Sequence, residues 1–363
     1  MLRVAILGMG SWGQALVGSV QGKSSSLQFT AGCTRTPAKA ADFCRTHNIR
    51  QVESYDAILA DPAIDAVLLA TPNSQHSAQV VQAAAAGKHV FCEKPFVLDV
   101  ADGDRLVQTA VERKLATQVG YHYRFVGAFQ EAARIVRSGA LGEVHHVRVE
   151  SYGPVVLRAK GGTWRSSKSE GGGALYDYAC HAIDLVNFVA GVPASVSGVV
   201  RHGVFSRDVD DEVYCSLHYA NGASGQLCVN WSDESFRKMS TKVSVWGTKG
   251  RITADRQECQ VYLREPCEAL PKVPQGWSVR YTTDLAQEVW FYLRGEEYSA
   301  QIDYFVQSCK QRRMDGENSF QSALQADRVV AMILAESLAG DGGGSGVTKS
   351  ALQPKSLLGR LFS

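Results

Sequence analysis

At 363 residues the chain exceeds the size at which a single hydrophobic core usually stops growing, so two domains are expected. A hydrophobic fraction of 45% with 20% charged residues is that of an ordinary globular protein. Thirty-eight Lys and Arg against 36 Asp and Glu leave a net charge of +2, which gives no electrostatic case for nucleic acid as a partner.

Nine cysteines lie at irregular spacing with no Cys-x-x-Cys pair. That pattern argues against a disulfide framework or a zinc site, and no metal is expected. Single cysteines within apolar runs, such as Cys92 and Cys228, read as small core residues in a reducing compartment. The apolar run Val4 to Leu7 is too short to span a membrane, and no cleavage signal surrounds it. A cytoplasmic protein with no membrane partner is the expectation.

In chain order, Leu2 to Leu7, Leu27 to Cys33, Asp65 to Ala70, His89 to Cys92 and Thr117 to Tyr121 read as strands. Each is short and mostly apolar, as in a parallel sheet covered on both faces. Helical stretches separate them: Gln14 to Val20, Pro37 to His47, Gln75 to Ala86 and Val100 to Arg113. Pro37 suits a first helical turn and Gly87 a helix end. The alternation predicts right-handed βαβ units and an α/β, doubly wound Rossmann sheet over residues 1–123.

The rhythm then changes. A helix at about Val126 to Arg137 and a strand at Val144 to Glu150 precede the glycine run Gly171-Gly172-Gly173. A helix from about Leu175 to Ala190 follows, ending at Gly191. Strands are expected at Ala194 to Val200, Glu212 to Tyr219, Ser224 to Trp231, Lys242 to Trp246 and Arg251 to Thr253, with Asn221-Gly222 as a hairpin signal. Helices at Ser299 to Arg312 and Phe320 to Leu338 close the unit. Residues 124–340 are therefore expected to form an α+β domain on an open, largely antiparallel sheet. Residues 341–363, glycine-rich and then basic, read as a flexible tail. The second sheet has too little helix to cover it, which points to self-association as a homo-oligomer.

Gly8-Met9-Gly10-Ser11-Trp12-Gly13 fits the dinucleotide pattern G-x-G-x-x-G. It follows an apolar strand and opens a helix within a βαβ unit, the context that gives the pattern meaning. Gly8 permits the tight turn, and Gly10 lets the backbone approach a pyrophosphate favoured by the helix N-terminus. About 20 residues on, an acid would bind the adenosine ribose hydroxyls and repel a 2′-phosphate. Here the strand ends Cys33-Thr34-Arg35, with Lys39 one turn later. Hydroxyl and cationic donors suit a 2′-phosphate, so NADP is favoured, with NAD as the alternative.

Glu93-Lys94-Pro95 ends the fifth strand, on the sheet edge where such folds bind ligands. Pro95 restricts Lys94 to an extended backbone that would project its ammonium over the crevice. Asp177, His181 and Asp184 follow the glycine run and would fall within about 60° on one helix face. An acid beside an imidazole suits proton transfer, the carboxylate either orienting the ring or meeting a substrate hydroxyl.

These segments together resemble the Gfo/Idh/MocA family, which includes glucose-fructose oxidoreductase and inositol dehydrogenases. The likeness runs to about Gly340. It rests on Gly8-x-Gly10-x-x-Gly13, Thr71-Pro72-Asn73-x-x-His76, Glu93-Lys94-Pro95, Tyr123-Arg124-Phe125 and Gly171-Gly172-Gly173-x-x-x-Asp177-x-x-x-His181-x-x-Asp184. The resemblance implies hydride transfer between a nicotinamide and a hydroxyl-bearing carbon of a sugar or polyol. It implies that Lys94 touches cofactor and substrate, that Asp177 binds substrate and that His181 is the general acid/base. Thr71, Pro72, Asn73, His76 and Glu93 would line the cofactor, and Tyr123, Arg124, Trp164 and Arg165 the substrate. A dinucleotide-sensing regulator on the same fold, or redox-neutral chemistry with transient hydride transfer, is the alternative. Retention of Lys94, Asp177 and His181 together favours the enzyme.

Overall fold

The structure is a computed structural model, and it describes residues 1–155, 164–285 and 296–341. Beyond Asp341 the expected tail lies outside the described residues.

The first sheet is six-stranded in the order β3-β2-β1-β4-β5-β6. Its strands are β1 (Leu2–Leu7), β2 (Leu27–Cys33), β3 (Arg50–Gln51), β4 (Ala66–Leu69), β5 (His89–Cys92) and β6 (Thr117–Val119). All the pairings are parallel. Burial on both faces explains the continuous apolar runs: all four residues of β4, and Val90, Phe91 and Cys92 of β5, are buried. Helices α1 (Ser11–Val20), α2 (Pro37–Thr46), α3 (Tyr55–Ala60), α4 (His76–Ala85) and α5 (Val100–Glu112) make the crossovers. Asp99 caps α5 by accepting from the Ala101 N–H at 2.9 Å, and Ser54 caps α3 from Ala57 at 3.1 Å. The order, which reverses between β1 and β4, is that of a dinucleotide-binding fold.

Helix α6 (Gly127–Arg137) leads into an eight-stranded sheet in the order β14-β13-β12-β11-β7-β10-β9-β8. Its strands are β7 (Val144–Tyr152), β8 (Ser195–His202), β9 (Glu212–His218), β10 (Ser224–Asn230), β11 (Ser240–Gly247), β12 (Gly250–Ala254), β13 (Glu258–Leu263) and β14 (Gly276–Tyr281). Only the β10–β7 pairing is parallel. Val147, Val149 and Ser151 of β7 point into the core, while His146, Arg148, Glu150 and Tyr152 line the opposite, half-open face. On the edge strand Trp277, Val279 and Tyr281 are exposed. The antiparallel expectation is met, and β13 and β14 extend the sheet beyond the six strands expected.

The helix expected over 175–190 is two elements: a π-helical turn at Leu175–Ala179, then α7 (Cys180–Ala190), stopped at Gly191 with φ +93°. Helix α8 (Glu296–Gln311) returns to the first sheet. Its Ile302, Phe305 and Val306 join one buried cluster with Val4, Leu16 and Phe91, and the Phe91 and Phe305 rings meet edge to face at 5.8 Å. Helix α9 (Phe320–Asp341) packs Phe320 against Phe96 at 4.2 Å.

Candidate active site

The turn after β1 is shaped for a dinucleotide. Gly8 has φ +94°, and a Cβ there would fall 2.3 Å from the Ala70 carbonyl oxygen, so only glycine fits. Nothing lies within 4 Å of where a Cβ on Gly10 would be, which leaves the approach to α1 open. Gly10 caps α1 without a side-chain bond, leaving the first turn's N–H groups for an anion. These residues fit the pyrophosphate. At the end of β2, Cys33 and Thr34 are half-buried, and Arg35 and Lys39 are exposed.

The next loops are tied to one another. Thr71 donates to the Gln79 side chain at 2.6 Å, and Asn73 reaches the Gly171 carbonyl at 3.4 Å. The buried His76 ring lies between the carbonyls of Pro95 (Nδ1, 2.9 Å) and Thr71 (Nε2, 3.1 Å), joining the loops after β4 and β5. Its side chain is thus committed to the scaffold of the crevice. Glu93 is buried beside Lys94, whose backbone N–H donates to its Oε2 at 3.2 Å. Burial pushes the Glu93 carboxyl up to about 7, against the pull of Trp12 and Lys94. Its other oxygen, Oε1, has no partner.

Lys94 and Asp177, distant in sequence, meet at the sheet edge. Lys94 Nζ donates to Asp177 Oδ1 at 2.8 Å and to the Asp177 carbonyl at 3.1 Å. Arg165 Nε donates to Oδ2 at 2.8 Å, while its guanidinium lies 4.9 Å from the Trp164 ring centre. Burial alone would raise the Asp177 pKa, but the two cations hold it below the usual carboxylate range. Burial likewise opposes the charge on Lys94, and the surrounding acidic groups, Asp177 first among them, more than offset it, keeping the ammonium protonated. Gly173, four residues before Asp177, packs against Asp210. It has φ +105°, and a Cβ there would sit 2.0 Å from Asp210 Oδ1.

His181 stands beside this cluster, its ring 5.2 Å from that of Tyr123 and 6.0 Å from that of Tyr121. Its Nδ1 is buried and has no partner. Both Asp177 oxygens are taken by Lys94 and Arg165, so the carboxylate does not orient the imidazole. Burial, with Lys94, His122 and Arg256 adding, holds His181 well below the usual imidazole range and therefore neutral.

The three acidic and imidazole side chains foreseen on one face part company. Asp184 turns to Arg124, and Asp177 belongs to the π-turn. Arg124, expected at the substrate, spends its guanidinium on Asp184, the Glu317 carbonyl and Ser322. Tyr123 is buried, its hydroxyl accepting from Thr241 at 3.3 Å while its ring faces His181.

His122 belongs to none of the motifs, yet its ring lies 5.1 Å from that of His181 and contacts Trp12 and Tyr298. Burial, then Arg256 and Lys94, pushes it down to about 3. Arg256, paired with the buried Glu297, stands 5.9 Å from the Tyr123 ring centre. Arg256, Glu297 and Tyr298 carry no local motif. The position of His122, directly before Tyr123-Arg124-Phe125, was the available signal.

Comparison with known proteins identifies the family and the fold. Residues 2–121 match the profile described as an oxidoreductase family with an NAD-binding Rossmann fold, and residues 129–253 match the GFO/IDH/MocA C-terminal domain. A 2,7-anhydro-N-acetylneuraminate hydratase of Escherichia coli (strain K12) is 28% identical over 73% of this chain and 70% of its own. A trans-1,2-dihydrobenzene-1,2-diol dehydrogenase of Oryctolagus cuniculus is 30% identical over 62% of this chain and 67% of its own. Among solved structures, a levoglucosan dehydrogenase in complex with NADH and L-sorbose superposes with a TM-score of 0.82 at 22% identity, covering 93% of this chain and 97% of that one. At that identity the superposition speaks for the fold. From both halves of its sequence, the chain belongs to the Gfo/Idh/MocA family of oxidoreductases, with an NAD-binding Rossmann fold.

Proposed function

We propose that this protein transfers hydride between a nicotinamide dinucleotide and a hydroxyl-bearing carbon of a sugar or polyol. The observation that carries the reading is the convergence of Lys94, Asp177 and Arg165 beside a neutral His181 at the ligand-binding edge of the parallel sheet. The nicotinamide, when bound, supplies the hydride acceptor or donor. Lys94 holds the reacting oxygen and stabilises the negative charge that develops on it. Asp177 keeps Lys94 charged and aimed, and His181 accepts the hydroxyl proton in one direction and returns it in the other. Polyhydroxy substrates are in keeping with the relatives named for levoglucosan and myo-inositol.

Exposed Arg35 and Lys39, with Thr34 and no acid at Cys33, support NADP over NAD. Residues 1–123 would bind the dinucleotide, while 124–340 would shape the substrate pocket and pair copies of the chain through the open sheet bearing Trp277, Val279 and Tyr281. All nine cysteines are unpaired, in keeping with a reducing, cytoplasmic setting. Among the described residues no helix is long and apolar enough to cross a membrane.

A second reading is favoured by the relative named as a hydratase: hydride leaves and returns within one turnover, with no net redox change. Nicotinamide absorbance during turnover separates the two. For either reading, Lys94→Ala and His181→Ala are expected to lose about a hundredfold or more in turnover while dinucleotide binding survives. Near wild-type turnover in both variants would overturn the assignment.

A further inference from the structure

A polar cavity of about 750 Å³ opens away from the dinucleotide crevice, between the end of α7 and the start of α9. Its size is that of a small-molecule site. Three arginines reach it: Arg124, Arg137 and Arg313. Arg124 is neutralised by Asp184. Arg137 donates to the Phe188 carbonyl at 3.0 Å, and Arg313 to the Tyr304 hydroxyl at 3.2 Å. Neither of these two is joined to a carboxylate among the described residues, and the acids lining the cavity, Asp315 and Glu317, are exposed.

The start of the long helix α9 also faces in, through Ser319, Gln321 and Ser322, adding the positive end of its dipole.

We propose that this cavity is a second ligand site that takes a small anionic metabolite. Phosphate or carboxylate oxygens would meet Arg137 and Arg313. Guanidinium forks suit both kinds of oxyanion. The site stands apart from the cofactor: none of the residues that line it belongs to the loops after β1, β2 or β4.

Thermal unfolding of the full chain tests this with inorganic phosphate, glucose 6-phosphate and citrate, each against sodium chloride at matched ionic strength. A saturable rise in Tm with at least one probe is expected. Arg137→Ala/Arg313→Ala should weaken it about tenfold or more, and Lys94→Ala should leave it in place. Phosphate esters and carboxylates are told apart by which probe acts. No rise beyond the salt control overturns the proposal, as does a rise that the double variant keeps. A rise lost in Lys94→Ala would move the ligand to the crevice and equally overturn it. If the double variant fails to fold, Arg313→Gln at its half-exposed loop position applies the same criterion.

Discussion

Arg124 and Asp184 form a buried, two-pronged ion pair, Nε to Oδ2 at 3.0 Å and Nη2 to Oδ1 at 2.6 Å. The pair joins the turn that carries His122 and Tyr123 to the helix that carries His181, and the remaining Arg124 bonds reach Glu317 and Ser322. Removing one partner strands the other charge in the core. Arg124→Ala is therefore expected to cost about 3–5 kcal/mol in urea unfolding, whereas replacing both residues with leucine should recover much of that loss. A double variant no more stable than the single one would count against this account.

The buried histidines give stability a pH dependence of known sign. His122 is pushed down to about 3 in the folded chain, so the unfolded chain binds more protons between there and the ordinary imidazole pKa. Stability from this group is fully present above about pH 6.5 and is lost as pH falls. Near pH 5 the loss reaches about 2 kcal/mol. His122→Phe should flatten the acid limb of a stability–pH curve by that amount. Glu93 works in the opposite direction: raised to about 7, it lowers stability as pH climbs from its unfolded value. Its contribution cancels when wild type and variant are subtracted, and an unchanged slope would exclude the histidine as the source.

Asp327 is buried on α9, accepting from the Val97 N–H at 3.4 Å with its other oxygen unpartnered. Burial pushes its carboxyl well above the usual range, against the pull of the Val97 N–H. A raised acid favours the folded state when protonated and penalises it increasingly as pH rises. Asp327→Asn should therefore gain more in Tm at pH 8 than at pH 4. Equal effects at both values would show that the folded carboxyl is not raised above its unfolded range.

Cofactor choice is tested at Arg35. The exposed guanidinium and Lys39 flank a strand end that lacks an acid. Arg35→Ala is expected to weaken NADPH binding about tenfold and leave NADH unchanged, read by cofactor fluorescence. Equal affinities for both cofactors, with a ratio indifferent to the substitution, would reject the 2′-phosphate preference.

Much of the dinucleotide half could be read from the chain because its signals are local. The strands Ala66–Leu69 and His89–Cys92 are short, mostly apolar runs, and the glycine turn directly follows another, Leu2–Leu7. Strand β3 escaped because Arg50 and Gln51 are both exposed and only two residues long. Strands β13 and β14 do alternate, through Cys259, Val261 and Leu263 and then Trp277, Val279 and Tyr281. In β14, however, the apolar side faces outward, so the usual correspondence of apolar with buried fails. At the site, Lys94, Asp177 and His181 announced themselves through motifs. The partnership of Asp177 with Arg165, and the edge-to-face contact of His122 with His181, depend on the π-turn and the helix crossing, which no spacing rule encodes.

The return of α8 to the first sheet has a consequence for protein engineering. Phe91, Leu16 and Val4 share their apolar cluster with Ile302, Phe305 and Val306, contributed some 200 to 300 residues later. A fragment cut after residue 123 would display that surface to water and invite aggregation. A chimaera that borrows the nucleotide-binding half from a relative must therefore import the matching late helix as well, so the transplantable module is discontinuous in sequence.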